Sequence, residues 1–130
     1  MPTAATPIGI AVVENDGQYL VGVRGPNSPL AGLAEFPGGK CHPGETPQDC
    51  VVRECLEETG LMVVPLRLLL NRQFEYEHDT VELHFWICRP ADANSVAADH
   101  CGFRWVSASA LVSQNFPAGN APVISLLTTG

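Results

Sequence analysis

The sequence predicts one small α/β domain with a mixed β-sheet. Its 130 residues, 45% of them hydrophobic and 16% charged, suffice for one hydrophobic core and exclude a disordered chain. One strong helix is predicted between two groups of strand segments, so strands from both sides of it share the sheet. Residues 80–88 alternate cleanly between apolar and polar side chains, which is typical of a β-strand.

The first part of the chain predicts a hairpin. Residues 8–13 and 18–24 are apolar enough to form two strands. The Asn-Asp-Gly sequence at 15–17 is expected to form a tight turn between them, because Asp-Gly readily adopts positive φ angles. Residues 25–32 contain two prolines and predict a loop, and residues 35–39 predict a second irregular, glycine-rich segment.

The clearest helix is predicted between Thr46 and Gly60. Thr46 is suited to the N-cap, Pro47 to the first helical position, and Asp49 lies three residues after the cap. Gly60 is suited to a left-handed residue that ends the helix. Further strands and short helices are predicted after it: one or two strands over 61–76 (interrupted near Pro65), strands over 80–88 and 103–106, then helices over 107–112 and 122–127.

Charge and cysteine content narrow the class of protein. The formal net charge of −7 excludes passive binding to nucleic-acid polymers or to anionic membranes, and a phosphate-bearing partner would need divalent cations as mediators. The longest apolar stretch, residues 61–70, is about half of what a membrane span needs. No secretion signal is recognisable, and five cysteines without a C-x-x-C pair favour reduced thiols in the core of a cytoplasmic protein.

The predicted helix carries a cluster of carboxylates. On a helical wheel one face holds Glu54, Glu57 and Glu58. The apolar face is expected opposite to it, at Val52, Cys55, Leu56 and Thr59. Like charges at this spacing cost roughly 0.2–0.5 kcal/mol per pair. The residues alone leave two interpretations, a solvated acidic face or a site for Mg²⁺ or Mn²⁺, since hard cations bind clustered carboxylate oxygens.

The spacing of these residues resembles the Nudix hydrolase signature, G-x5-E-x7-R-E-U-x-E-E-x-G-U, where U is aliphatic. Residues 39–61 read GKCHPGETPQDCVVRECLEETGL. The matching positions are Gly39, Glu45, Arg53, Glu54, Glu57, Glu58, Gly60 and Leu61. At ordinary residue usage, seven fixed letters in register are roughly a one-in-10⁸ event for each start position. Cys55 departs from the inner aliphatic position and is expected to pack there as a small apolar residue.

The resemblance implies an α/β/α sandwich, with residues 1–130 forming one Nudix domain that hydrolyses a nucleoside diphosphate linked to another group. It assigns a divalent cation, Mg²⁺ or Mn²⁺, to Glu54, Glu57, Glu58 and the backbone carbonyl of Gly38. It further implies that Arg53 orients these glutamates through salt bridges and that Glu45 supports the loop or a water molecule on the metal. Glu54 is the expected general base. Lys40 is expected either to meet a phosphate or to be a solvated loop lysine.

Four further segments resemble the MutT branch of this family, which removes oxidised guanine nucleotides. They are residues 35–40, 44–47, 74–77 and 115–124. The resemblance implies that Asn120 binds the base, that Phe36 forms an aromatic wall of the base pocket, and that Arg24 contacts the base or sugar. A carboxamide suits an oxidised guanine, whose N7–H donor lies beside the O6 acceptor. The alternative for Asn120 is an N-cap of the helix near Pro122.

One position departs from the branch. MutT-type enzymes carry an acid shortly before a strand tryptophan, whereas here Arg104 precedes Trp105 and Asp99 is the nearest preceding acid. Asp99 is expected either to take over the role of that acid or to leave the role absent. His78 and His100 are further candidates for a ligand or a base, although isolated histidines usually serve as neither.

The expected substrate is a nucleoside triphosphate, which the chain would bind as a monomer or a homodimer. The first hypothesis is metal-dependent conversion of 8-oxo-dGTP to 8-oxo-dGMP and pyrophosphate, which would avoid mutation by cleansing the nucleotide pool. The second keeps the reaction but changes the base, with CTP, dCTP or methylated dCTP as substrate. The third is a Nudix module that binds without catalysis, although such modules typically lose signature glutamates.

Overall fold

The computed structural model describes residues 5–28, 30–77 and 79–128 as an α/β/α sandwich. In the described ranges no helix is long and apolar enough to cross a membrane. The elements in chain order are β1 (Thr6–Asn15), β2 (Gln18–Val23), β3 (Ala34–Glu35), β4 (Gly38–Lys40), α1 (Pro47–Thr59), β5 (Val63–Glu75), β6 (Thr80–Pro90), β7 (Asp99–His100), β8 (Phe103–Ser107), α2 (Ala108–Leu111) and α3 (Ala121–Thr128). Two 3₁₀ helices span Ala93–Ser95 and Ala118–Asn120.

The sheet is mixed, as predicted, because β1 pairs in parallel with β6 and antiparallel with β2 and β4. The strand order is β5-β6-β1-β2-β8-β7, with β4 also beside β1 and β3 beside β2. In the β1–β4 pairing, Gly9 lies opposite Gly39 and Ile10 opposite Gly38. The central strand β1 therefore holds the glycine-rich strand β4 in place.

Each face of the sheet has its own hydrophobic core. The core between the sheet and α2 and α3 includes Val12, Leu83, Phe85, Leu111 and Val123. The core beneath α1 includes Ala11, Val13, Leu20, Val51 and Cys55. Because helices cover both faces, β1 is buried through five consecutive residues, 9–13.

Helix α1 begins and ends where its capping residues predict. The Thr46 side chain accepts a hydrogen bond from the Asp49 amide at 3.1 Å, which satisfies one of the free amides of the first turn. At the other end Gly60 has a φ angle of 74° and donates its amide to the Leu56 carbonyl at 2.9 Å. This left-handed residue turns the chain towards β5.

The buried face of α1 agrees only in part with the face predicted by the helical wheel. Leu56 is 41% exposed and Val52 is half-buried, whereas Cys50 and Val51 are fully buried. The reason lies in β1: a Cβ atom on Gly9 would stand 2.8 Å from the Cys50 sulfur. The missing side chain lets this side of the helix approach the sheet, so the prediction for Leu56 was wrong. Cys55 is fully buried, as expected.

The structure also settles other local predictions. Residues 35–39 were expected to be irregular but contribute to β3 and β4, because pairing with β2 and β1 draws this segment into the sheet. Of the one or two strands expected over 61–76 the structure has one: β5 is a single edge strand whose register shifts after Pro65, where the interruption was expected, and again after Leu68. An edge strand tolerates proline because the missing amide faces away from the sheet. The sequence did not predict β7.

The cysteines are all free thiols. Cys50, Cys55 and Cys88 are buried, in agreement with a role as small core residues, and burial raises the pKa of the Cys50 and Cys88 thiols to about 12. Cys41 is half-buried and Cys101 is exposed, so the core prediction fails for these two.

We expect the Gly9→Ala variant to lose about 1–3 kcal/mol of unfolding free energy, since the added methyl group would press on Cys50 and Val51 in a packed core. Urea unfolding measures the loss. The matched control is Gly25→Ala, because nothing lies within 4 Å of a Cβ atom at Gly25. Equal stability of the two variants would contradict the close packing of α1 on β1.

Candidate active site

Two consecutive glycines bring β4 against α1. A Cβ atom on Gly38 would collide with the Gly9 carbonyl oxygen, and one on Gly39 would stand 2.6 Å from the Glu54 carboxylate. The backbone of β1 therefore leaves no room for a side chain at Gly38, and a side chain at Gly39 would displace the Glu54 carboxylate. This contact is the structural reason for two glycines at this point, and it places the Glu54 carboxylate directly beside the backbone of β4.

Arg53 connects the acidic residues of the site. Its guanidinium donates to both carboxylate oxygens of Glu45, with Nε 2.8 Å from Oε2 and Nη2 2.9 Å from Oε1. Nη1 lies 2.8 Å from Glu54 Oε1 and 3.2 Å from Glu57 Oε2. Nη2 also donates to the Lys40 carbonyl at 3.1 Å. One planar donor group thus joins three carboxylates to the β4 backbone.

The carboxyl groups of Glu45 and Glu58 have pKa values shifted in opposite directions. The hydrogen bonds from Arg53, followed by that from the His42 amide, lower the pKa of the Glu45 carboxyl to about 2. Burial raises the pKa of Glu58 to about 7, although the Gly38 amide donates to its carboxylate at 3.3 Å. The nearby Glu35 carboxylate raises the pKa of Glu58 further. Negative charge is therefore costly around Glu58, and a cation there would relieve it.

The donor set fits a hard divalent cation in its chemistry. Glu54 and Glu58 offer half-buried carboxylate oxygens beside Gly38 and Gly39, and the approach to Gly39 leaves no space for a side chain. Glu57 is 57% exposed on its side chain and is bound to Arg53. Among the residues that the structure describes, no three His, Cys, Asp or Glu side chains are already arranged around a common point that would hold an ion.

A cavity of about 380 Å³ opens at the glycine-rich strand β4, which packs against α1. Its wall includes the four residues predicted to bind substrate, Arg24, Phe36, Lys40 and Asn120, together with Gly38 and Gly39. The volume lies within the range of small-molecule sites. The structure thus brings the predicted binding residues to one space adjoining the glycine-rich strand and α1.

The predicted binding residues are held in different ways. Arg24 Nη1 lies 3.4 Å from Glu35 Oε1. Phe36 is buried and stacks on Phe116, with ring centroids 4.9 Å apart, so it belongs both to the core and to the cavity wall. Asn120 is 7% exposed and directly precedes α3, whereas Lys40 is exposed.

Sequence reasoning missed two cavity residues, Glu35 and Tyr76. Both lie in segments that resemble the MutT branch, which is the signal that would have found them. The same resemblance implies that the loop at residues 77–79 borders the base pocket, and Asp79 of this loop lines the cavity. The position of Asp79 depends on the turn between β5 and β6, where its side chain accepts a hydrogen bond from the Thr6 hydroxyl at 3.3 Å.

Asp99 lies away from this cavity. It sits in the edge strand β7, which β8 and β2 separate from β1, a distance of roughly 14 Å at ordinary strand spacing. Its carboxylate accepts from the Gly102 amide at 2.8 Å and from Arg104 Nε at 3.3 Å, so it stabilises a local turn. The expectation that Asp99 takes over the missing acid's role is therefore wrong. His100 accepts from the Ala97 amide at 3.0 Å. His78 lies outside the described residues.

Comparisons with known proteins agree with this architecture. Residues 4–127 match the NUDIX domain family. The 8-oxo-dGTP diphosphatase of Escherichia coli is 30% identical over 121 residues, which are 92% of this chain and 94% of that protein. The CTP pyrophosphohydrolase of the same organism is 29% identical over 114 residues, 88% of this chain and 84% of that protein.

A solved structure agrees as well. The solution structure of the E. coli ORF135 protein superposes with a TM-score of 0.75 at 27% identity, covering 93% of this chain and 86% of that one. The family match spans nearly the whole chain, and Arg53 joins three of the signature glutamates. The chain therefore belongs to the Nudix hydrolase family, in its MutT-like branch.

Proposed function

We propose that this enzyme hydrolyses nucleoside triphosphates to the monophosphate and pyrophosphate, with 8-oxo-dGTP as its preferred substrate. The observation that carries the proposal is the shared cavity, in which the carboxamide residue Asn120 lines the same space as Gly38 and Gly39 beside α1. The similarity to a relative named 8-oxo-dGTP diphosphatase supports it. The reaction would cleanse the nucleotide pool, and the five free thiols fit a cytoplasmic location.

Glu54, Glu57, Glu58 and the Gly38 carbonyl are the groups that would hold Mg²⁺ or Mn²⁺. When bound, the cation screens phosphate charge, polarises the phosphoryl oxygen and lowers the pKa of water. The formal charge of −7 on the chain otherwise repels a polyphosphate. Lys40, exposed at the cavity rim, supplies a positive group for a phosphate.

The protein's own proton acceptor in this proposal is Glu54. Arg53 binds Oε1 of this carboxylate, and the other oxygen lies against Gly39, so the side chain is fixed beside the glycine-rich strand. A carboxylate held in this way can take the proton of the water that attacks phosphorus. Glu45 acts indirectly: it accepts two hydrogen bonds from the Arg53 guanidinium and fixes it, and Arg53 in turn binds Glu54.

Base selection is assigned to Asn120, with Phe36 as the aromatic wall and Arg24 near the base or sugar. The Asn120 amide can accept from N7–H and donate to O6 of an oxidised guanine. Ordinary guanine has a bare acceptor at N7, which would face the amide oxygen. An unpaired group in a largely buried site costs roughly 1–3 kcal/mol, which corresponds to about 10- to 100-fold discrimination. Its place in the cavity wall favours this role over that of a helix cap.

A cytosine nucleotide is the second candidate substrate. The cavity also holds the carboxylates of Glu35 and Asp79, which can accept a hydrogen bond from the exocyclic amine of cytosine. One similar protein is named CTP pyrophosphohydrolase. A binding module without catalysis is disfavoured by the complete set of signature glutamates.

Steady-state kinetics with a panel of nucleotides tests the proposal. We would compare kcat/KM for 8-oxo-dGTP, dGTP, dCTP, CTP and ADP-ribose with Mg²⁺, and repeat each assay with EDTA. At least tenfold preference for 8-oxo-dGTP is the expected result. A higher value for dCTP or CTP would transfer the proposal to the second substrate class, and no turnover of any nucleotide would support the binding module.

We expect Glu54→Gln to lower kcat by about 10²- to 10⁴-fold, since the amide cannot accept the proton as a carboxylate does. The matched control is Glu75→Gln, an exposed strand residue outside the cavity wall, which should retain activity. Thermal unfolding of both variants checks that the fold survives. Wild-type turnover in Glu54→Gln would remove Glu54 from the mechanism.

Arg53→Lys should lower kcat/KM by roughly 10- to 100-fold, the usual effect of losing a group that orients catalytic ligands. A lysine keeps the charge but cannot reproduce the planar fork that joins Glu45, Glu54 and Glu57. Arg89→Lys, on β6, is the control. Kinetics with titrated Mg²⁺ measure the effect, and an unchanged kcat/KM at every Mg²⁺ concentration would refute the orienting role.

Asn120→Ala should reduce the preference for 8-oxo-dGTP over dGTP by about 10- to 100-fold while the hydrolysis of dGTP persists. The measurement is the ratio of the two kcat/KM values. Asn94→Ala, in an exposed 3₁₀ helix, serves as the control. A ratio that survives the loss of Asn120 would show that another group selects the base.

A further inference from the structure

We infer that Tyr76 is a positioning residue for Asn120: its hydroxyl group fixes the turn that carries Asn120, and through it the choice of base. The inference rests on the proposed function, because it concerns the same cavity. It depends on a hydrogen bond between two segments that are 43 residues apart in the chain, the end of β5 and the 3₁₀ helix at Ala118–Asn120.

The hydroxyl of Tyr76 accepts a hydrogen bond from the Gly119 amide at 3.2 Å. Gly119 immediately precedes Asn120, and both Tyr76 and Asn120 line the cavity. A three-residue 3₁₀ helix has few hydrogen bonds of its own. A bond from outside therefore contributes strongly to where this helix lies and to where the Asn120 carboxamide stands.

Gly119 is required by the same contact. A Cβ atom on Gly119 would collide with the Tyr76 hydroxyl oxygen and would stand 3.1 Å from Leu83 Cδ1. Gly119 is buried, so the space beside its Cα is occupied by the tyrosine and not by water. The glycine at position 119 thus leaves the room that the tyrosine hydroxyl needs for this hydrogen bond.

The tyrosine is itself held firmly. Its amide donates to the Asp79 carbonyl at 2.8 Å across the turn between β5 and β6. Its ring packs on that of Phe74, with centroids 4.7 Å apart. Burial raises the pKa of Tyr76, so the phenol is neutral at physiological pH. A fixed anchor can transmit its position to Gly119, and a displacement of about 1 Å in a substrate-positioning group is enough to change rates strongly.

The kinetic test uses Tyr76→Phe, which removes the hydroxyl group and keeps the ring. We expect the ratio of kcat/KM values for 8-oxo-dGTP and dGTP to fall by about 2- to 10-fold, as the loss of one hydrogen bond predicts. Tyr19→Phe is the matched control, because its hydroxyl binds Glu14 at 3.0 Å and Tyr19 is not part of the cavity wall. An unchanged ratio in Tyr76→Phe, alongside a reduced ratio in Asn120→Ala, would overturn the inference.

A double variant separates positioning from general weakening of the fold. If Tyr76 acts through Asn120, then Tyr76→Phe changes the substrate ratio in the wild type but not in the Asn120→Ala background. An equal additional loss in that background would contradict the inference. Gly119→Ala disturbs the same contact, because its methyl group would collide with the Tyr76 hydroxyl oxygen, and it should reduce the ratio as well. The test therefore does not depend on the folding of a single variant.

A measurement without nucleotide keeps this inference separate from the proposed function. Hydrogen exchange of the Gly119 amide, followed by NMR, should be faster in Tyr76→Phe than in the wild type and in Tyr19→Phe. An unchanged exchange rate would contradict the inference that the Tyr76 hydroxyl group fixes this turn, whatever nucleotide the enzyme prefers. If the nucleotide panel shows a preference for another base, the proposed substrate fails, and the kinetic comparison is made with the preferred nucleotide and its nearest competitor.

Discussion

The close approach of α1 to the glycines of β1 and β4 is the contact on which the site depends. Gly9 lets Cys50 and Val51 reach the sheet, and the absence of a side chain at Gly39 leaves room for the Glu54 carboxylate. A methyl group at Gly9 would press on Cys50 and Val51, and one at Gly39 would displace the Glu54 carboxylate. The same close approach of α1 to the sheet therefore determines both the packing of the core beneath α1 and the position of the Glu54 carboxylate.

The same contact concentrates negative charge where the sequence already has an excess of it. Arg53 neutralises part of this charge by joining Glu45, Glu54 and Glu57, and it does so with a rigid fork that also binds the backbone of β4. Glu58 lies outside the reach of these bonds and is half-buried near other carboxylates. Arg53 thus stabilises the loop before α1, while the charge that it does not neutralise remains available to a cation. Repulsion among the carboxylates destabilises α1, and a bound cation would relieve it.

The cavity unites parts of the chain that have separate structural supports. Its side with Gly38, Gly39 and Lys40 belongs to β4, which packs against α1, whereas the side with Asn120 belongs to the segment before α3. Phe36 connects the two sides, because it follows β3 and stacks on Phe116 of the C-terminal segment. In the proposed function, the residues for hydrolysis and the residue for base selection therefore belong to separate parts of the chain.

The sequence by itself determined the bounds of α1 and the placement of Arg53, Glu54, Glu57 and Glu58 on that helix. Capping, helix ends and spacing along one element are local properties, so they can be predicted without the tertiary structure. The two cores, the role of β4 and the position of Asp99 were decided by tertiary structure. Periodicity predicts which face of an element is apolar, but not the register or neighbours of its strands. That is why Leu56 was expected inside and lies outside, and why the contact between Tyr76 and Gly119, which are 43 residues apart, is visible only in the tertiary structure.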